Sequence, residues 1–350
     1  MGHKTTQIRL AARPVGEPQD SDFEFITADL PELADGQVLL RTIYLSLDPY
    51  MRGRMSAAES YAEPVGLGEV MIGGTVCEVL ESRSPNRAAG DLVFAYTGWQ
   101  THAVADAART RRLNPDEAPI STALGVLGMP GFTAYTGLLD IGKPEPGQTV
   151  AVAAATGPVG SAVGQIAKVK GARAVGIAGG PTKCRALIED FGFDAAVDHR
   201  SPTFRQDLEA VTPEGIDVYF ENVGGPVTDA VIGRLNNFAR IPVCGVVSAY
   251  NTTPASPGTD RLDMSAFLWQ ILTRSLAVRG FLIEDVGAAR RAEFVRDMAG
   301  WVADGSVRYR EDIVDGLERA PEAFRGLLAG RNFGKLLVRV GADPTRNRGA

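Results

Sequence analysis

Between Val150 and Gly171 the chain reads V-A-V-A-A-A-T-G-P-V-G-S-A-V-G-Q-I-A-K-V-K-G, and this stretch restricts the fold more than any other. A run of small apolar residues enters a glycine turn, and a helix leaves it. Ala155, Gly157 and Gly160 occupy the three small-residue positions of a dinucleotide-binding turn. The second position lets a pyrophosphate approach the backbone, and the third lets helix and strand pack closely. Val159, Val163 and Ile166 follow at helical spacing, and Gly171 is placed to end the helix. The helix start made of Gly157, Pro158, Val159 and Gly160 is therefore expected to meet the phosphates with its N-terminal N–H groups. A tight glycine turn also serves ordinary strand–helix joins, so the nature of the nucleotide rests on the residues beyond the turn.

A site for the unphosphorylated dinucleotide calls for Asp or Glu about 20 residues past the turn, on the ribose hydroxyls. The second strand, Ala172 to Ile177, runs instead into Ala178-Gly179-Gly180-Pro181-Thr182-Lys183, with no carboxylate between Gly157 and Ile188. Lys183 and Arg185 follow, and His199 and Arg200 close the next strand. A missing acid beside a cation suits a 2′-phosphate, which a carboxylate would repel. NADP(H) is the cofactor expected, although a surface lysine that merely solvates a helix start would look the same.

The 350 residues suffice for two cores. The net charge of −6, without charge runs, points away from nucleic acid. The three cysteines, Cys77, Cys184 and Cys244, are too widely spaced for a disulfide framework or a metal pair. With no apolar leader and no apolar span of membrane length, the expected location is the cytoplasm. Gly2 with Thr6 matches the short myristoylation pattern, and Asn251-Thr252-Thr253 is a glycosylation sequon; neither pattern is weighty here.

Short strands with turn signals fill the first part of the chain: Gln37–Ser46, Gly73–Glu81, Asp91–Phe94 and Trp99–Ala105. From about Met129, strands alternate with helices: Thr149–Ala155, Ala172–Ile177, Ala195–Asp198, Asp217–Glu221, Arg240–Val246 and Ala277–Leu282. This order predicts a β-rich, barrel-like unit and a doubly wound parallel sheet. A helix near Gly287–Asp304, a strand around Ile313, a helix at Pro321–Gly330 and a strand Gly334–Val340 complete the chain, the last strand returning to the first unit.

Several strings carry a resemblance: Leu45-Ser46-Leu47-Asp48-Pro49-Tyr50-Met51-Arg52, Met129-Pro130-Gly131-Phe132-Thr133-Ala134-Tyr135, Glu221-Asn222-Val223-Gly224-Gly225, Cys244-Gly245 with Ser248-Ala249-Tyr250-Asn251, and Arg331-Asn332-Phe333-Gly334-Lys335. In this order they are similar to the zinc-independent branch of the medium-chain dehydrogenase/reductase superfamily that holds the prostaglandin, alkenal and curcumin reductases. The resemblance spans roughly residues 35 to 340. It implies a GroES-like β-rich barrel domain (1–126 and 285–350) and a Rossmann domain (127–284). It also implies a homodimer joined at the edge strand Ala277–Leu282.

The implied activity is NADPH-dependent reduction of the C=C bond of apolar α,β-unsaturated ketones and aldehydes, by hydride transfer to the β-carbon without zinc. The chain lacks the Cys, His and Glu ligands that a catalytic zinc site needs, and it lacks a four-cysteine lobe. By the same similarity Gly157–Gly160 meet the pyrophosphate, and Lys183 and His199 the 2′-phosphate. Asn222, Cys244, Gly245, Ser248 and Tyr250 lie near ribose or nicotinamide. Phe281, Leu282 and Ile283 offer backbone groups to the carboxamide, and Asn332 reaches the cofactor from the returning segment. Tyr50 and Tyr250 are the candidate hydrogen-bond donors to substrate. The branch often has Tyr where His199 stands; a histidine there can donate to phosphate, more so if protonated. Glu221 could serve as a base or be a satisfied structural group. Trp99, Phe267 and Trp269 could wall a pocket or belong to the core. A quinone reductase of the same superfamily, or an NADPH-binding protein without turnover, remain as alternatives.

Overall fold

The computed structural model describes residues 3–252 and 263–346. Gly2, Thr253 of the sequon and residues 254–262 lie outside the described residues.

In chain order the first part holds β1 (Lys4–Leu10), β2 (Phe23–Asp29), β3 (Gln37–Ser46), α1 (Tyr50–Arg54), β4 (Thr75–Ser82), β5 (Leu92–Ala95), β6 (His102–Asp106) and β7 (Arg111–Arg112). Then come α2 (Met129–Thr136), β8 (Thr149–Ala153), α3 (Pro158–Val169), β9 (Arg173–Ala178), α4 (Pro181–Glu189), β10 (Ala195–Asp198), α5 (Phe204–Val211) and β11 (Ile216–Phe220). They are followed by α6 (Gly225–Ile232), β12 (Leu235–Val243), α7 (Met264–Arg274), β13 (Ala277–Gly280), α8 (Ala288–Ala303), β14 (Glu311–Asp315), α9 (Ala320–Leu328) and β15 (Lys335–Arg339).

The chain divides into two compact units. One comprises the residues up to Leu124, Glu311–Asn332 and those from Leu336 onward; the other comprises Gly125–Arg310 and Phe333–Lys335. In the first unit β3 is the hub. It pairs with β4 along one edge, and on the other edge with β6 through Gln37–Arg41 and with β15 through Tyr44–Ser46. The expected return of the last strand is thus observed. β1 and β2, which local patterning does not reveal, form a separate antiparallel pair. Trp99 is fully buried, stacked on Phe23 and edge-on to Phe324, so it is core.

The second unit is a six-stranded parallel sheet in the order β10-β9-β8-β11-β12-β13, with helices between successive strands. Its central strands are apolar on both faces, as a sheet covered by helices requires. Two sequence-based boundaries need correction. Helix α8 belongs here and not with the first unit: Phe294 and Met298 are buried with Phe132 and Leu138, so the crossing falls after Arg310 and not after residue 284. β12 begins at Leu235, earlier than Arg240, because the register against β11 shifts between Ile216 and Val218 and Phe238 takes a positive φ of 64°. Asn236 and Asn237, which favour a turn by residue type, lie inside this strand. Among the described residues no helix is long and apolar enough to cross a membrane.

Candidate functional site

The carboxyl ends of β8, β9, β10, β11 and β12 carry the residues singled out by motif. β8 ends at Ala153, and Ala154 turns the chain with a φ of 51°. Gly157 is the N-cap of α3, with Pro158 at the first helical position, where its missing N–H costs nothing. A Cβ on Gly160 would lie 2.5 Å from the Ala154 carbonyl oxygen and 2.7 Å from Ala155 Cα. The helix therefore approaches the turn as closely as a glycine allows. A Cβ on Gly157 would meet only the Ala154 oxygen, at 3.2 Å. The cradle and the free helix N-terminus fit a pyrophosphate. Gly334, in the returning segment, donates its N–H to the Thr156 carbonyl at 3.1 Å. The guanidinium of Arg310 covers the Phe333 ring at 3.9 Å. Asn332, expected to reach the cofactor, directly precedes this docked segment.

β9 runs into Gly179 and Gly180, the latter at a φ of 91°. Helix α4 starts at Pro181 and carries Lys183 in its first turn. Asp198, at the end of β10, accepts from Gly180 N at 2.8 Å and Arg200 N at 2.9 Å through one carboxylate oxygen. These bonds and the neighbouring His199 and Arg200 lower its pKa against the opposing effect of burial. His199 and Arg200 are exposed as residues, yet their side chains lean over Gly179, where an added Cβ would meet Arg200 Nε at 2.8 Å and His199 Nε2 at 3.0 Å. Desolvation of the ring, followed by the charge of Arg200, lowers the His199 pKa. The protonated ring that would donate best to a phosphate is therefore not the resting form at neutral pH. Asp198 and Gly179 belong to the same corner as Lys183, His199 and Arg200, and motif reading did not single them out. The double glycine directly after a strand was the available signal.

At the end of β11, Glu221 is almost fully buried. Its carboxylate accepts from Val223 N at 2.6 Å, Gly224 N at 2.9 Å and the Thr228 hydroxyl. These bonds make it a loop-closing group. Asn222 donates its amide to the Ala153 carbonyl at 2.8 Å, which fixes it across the end of β8. Ser248 donates its hydroxyl to the Val223 carbonyl at 2.6 Å, so it braces the same loop. Burial, then the charge of Glu221, pushes the Cys244 thiol up to about 12, which rules out a resting thiolate nucleophile. The Tyr250 hydroxyl lies over Gly245, 3.3 Å from where a Cβ would stand. Past β13, the Phe281 ring meets Phe220 edge-on with centroids 6.2 Å apart. The carbonyls of Leu282 and Ile283 accept from Asp285 N and Val286 N in their own turn. Phe267 packs against the sheet core, whereas Trp269 is 62% exposed.

In the first unit, Tyr50 opens α1, directly after Asp48-Pro49. Burial, then Asp48 and the nearby Tyr96 and Tyr61, raises its pKa, so its phenol remains a proton-bearing donor throughout the physiological range. Arg52 of the same string is buried and donates to the Gly16 carbonyl at 2.8 Å, a bond that ties down the N-terminal loop. Among the described residues no three His, Cys, Asp or Glu side chains gather as a metal-holding group.

Two family models match the chain: an N-terminal domain of oxidoreductase over residues 6–113 and a zinc-binding dehydrogenase over residues 158–300. The chain is 52% identical to the NADPH-dependent curcumin reductase of Escherichia coli over 95% of its length and 96% of the relative's. It is 42% identical to prostaglandin reductase 1 of Bos taurus over 93% of its own length and 96% of that protein's. The crystal structure of CurA from Vibrio vulnificus in complex with NADPH superposes with a TM-score of 0.91 at 52% identity, covering 97% of this chain and 100% of that one.

Proposed function

The chain belongs to the zinc-independent branch of the medium-chain dehydrogenase/reductase superfamily, as an NADPH-dependent reductase acting on C=C bonds, and from that premise we propose that it reduces the double bond of apolar α,β-unsaturated ketones and aldehydes. The observation that carries the reading is the similarity to curcumin and prostaglandin reductases along more than nine-tenths of the chain. It is supported by Lys183 at the start of α4, after the second strand, and His199 and Arg200 after the third, in place of a ribose-binding acid.

NADPH, when bound, supplies the hydride that adds to the β-carbon. The turn Gly157–Gly160 and the N-terminus of α3 would hold its pyrophosphate through the backbone N–H groups other than that of Pro158, which has none, and Lys183 with His199 would hold the 2′-phosphate. Asn222, Cys244, Gly245 and Ser248 form the bed for ribose and nicotinamide, with Phe281–Ile283 and Asn332 as further contacts. Tyr250 donates a hydrogen bond to the substrate carbonyl oxygen, where negative charge grows as the β-carbon is attacked. Tyr50 is the second candidate donor. Its raised pKa makes it a donor and excludes it as a base. The donor set lacks the thiolates and imidazoles of a zinc site, and without a metal to polarise the carbonyl carbon, addition at the β-carbon is the easier course.

We further infer a cytoplasmic homodimer joined through β13. That strand ends the sheet, and all four of its residues are exposed. Open strand edges invite pairing. Consumption of NADPH should be followed against a panel of enones, alkenals, quinones and simple alcohols, with product analysis. The saturated ketone is the expected product from an enone. An allylic alcohol would overturn the reaction type, and quinones as the sole substrates would favour the quinone reductase alternative.

A further inference from the structure

His199 is the one histidine of three that stands at the carboxyl end of the parallel sheet; the others are His3 and His102. Its backbone N–H donates to the Ala178 carbonyl at 3.0 Å, which sets it level with the double glycine that opens α4. The imidazole and the Arg200 guanidinium fill the space a Gly179 side chain would take. The charged groups that face the ring are Arg200 and Asp198 from its own strand end and Lys183 from α4. Partial desolvation, with two cations against one carboxylate, lowers the pKa of the ring in the free protein. The Asp198 oxygen is already engaged by two backbone amides. A dianion set among these groups reverses the balance, because opposite charge at short range favours the protonated imidazole.

We propose that His199 is a proton-linked specificity residue, taking a proton from solvent onto its ring when a 2′-phosphorylated nucleotide binds and taking none when the unphosphorylated nucleotide binds. The proposal rests on reading this corner as the 2′-phosphate site. It makes cofactor preference a function of pH. The bound state favours the protonated ring, so affinity for NADP+ is fully enhanced below the free-state pKa of His199. It is lost as pH rises through the higher, bound-state pKa. The phosphate itself titrates near about 6 and loses charge on further acidification. Only the difference between the wild type and His199→Gln therefore isolates the histidine.

With so few histidines, the imidazole resonances can be followed by NMR in the wild-type protein: free, with NAD+ and with NADP+. The His199 midpoint should rise by about one unit with NADP+ alone, a change worth about tenfold in affinity, while His3 and His102 stay put. Calorimetric titration with NADP+ in two buffers of different ionisation enthalpy should show net proton uptake near neutral pH. That uptake should vanish in His199→Gln and with NAD+. Between about pH 6.5 and about pH 8 the NADP+ dissociation constant of the wild type should rise several-fold more steeply than that of the variant. A kept preference for NADP+ with an unmoved His199 midpoint, or equal proton uptake in His199→Gln, overturns the proposal alone. NADP+ binding no tighter than NAD+ at any pH overturns the placement of the phosphate as well.

Discussion

Replacing Gly157 and Gly160 separately by alanine should separate two functions of one turn. At Gly160 the new methyl would sit 2.5 Å from the Ala154 oxygen and 2.7 Å from Ala155 Cα, both backbone atoms of the turn. No flexible side chain can yield, so the start of α3 must retreat by about 0.5 Å or more to restore a normal contact. A gap of about 0.5–1 Å forfeits a quarter to a half of the dispersion attraction across it. The face that loses contact includes the buried Ala162, Val163, Ile166 and Ala167. Overpacking of this kind costs about 1–3 kcal/mol. For a unit of this size, about 2 kcal/mol lowers Tm by about 4–8 °C. At Gly157 the φ is −73°, which any residue adopts, and the one contact, at 3.2 Å, needs a shift of a few tenths of an ångström. Gly157→Ala should therefore leave Tm within about 2 °C, yet place a methyl where the phosphate has to approach, weakening NADP+ by about tenfold or more. Differential scanning calorimetry and fluorescence titration with NADP+ read the two effects. An unchanged dissociation constant in Gly157→Ala would show that the pyrophosphate does not meet this glycine, and an unchanged Tm in Gly160→Ala would refute the close-approach argument.

Lys183→Ala should remove a charge-assisted contact of about 1.5–3 kcal/mol, raising the NADPH dissociation constant roughly ten- to a hundredfold and leaving NADH nearly unchanged; equal losses for both cofactors would show that Lys183 does not read the phosphate. Tyr250→Phe should lower turnover about a hundred- to a thousandfold with little effect on NADPH binding, as loss of a donor to a developing oxyanion typically does; full turnover would move the donor role to Tyr50 or a ribose hydroxyl. Treatment with chelators should leave activity intact, and one zinc per purified chain by elemental analysis would contradict the metal-free mechanism. Val278→Asp, at a position 39% exposed on the edge strand, should shift sedimentation from dimer toward monomer; a wild-type protein that is monomeric at micromolar concentration would count against pairing through β13.

The parallel sheet was legible because its strands are buried on both faces and read as unbroken apolar runs, Val150–Ala153 and Ala174–Ala178 above all. β1 and β2 were not, because Lys4, Gln7 and Arg9 interrupt the apolar pattern. Their pairing is secured by distant partners that no local window contains, such as Gln100 with the Gln7 side chain at 2.8 Å. Tertiary context also decided the aromatic residues: Trp99 is sealed between Phe23 and Phe324, while Trp269 lies on an open helix face. The glycine turn could be read from spacing, but the charge state of His199 could not. It depends on how far the ring is desolvated, and then on Arg200, Asp198 and Lys183, which the fold gathers from a strand end and a helix start.

The position of α3 shows how a site depends on residues that no motif marks. A Cβ on Gly164, in the middle of α3, would fall 2.0 Å from Phe193, and one on Gly176, in β9, would meet Phe193 at 3.0 Å and Leu187 at 2.7 Å. The Phe193 ring thus occupies a slot that two glycines open between helix and sheet. With Gly160 held against the turn at one end and Gly164 against Phe193 one turn later, the helix axis is fixed at two points. On the proposed reading the fingerprint glycines give a phosphate its approach, while the unmarked glycines beneath them hold the helix at its close packing.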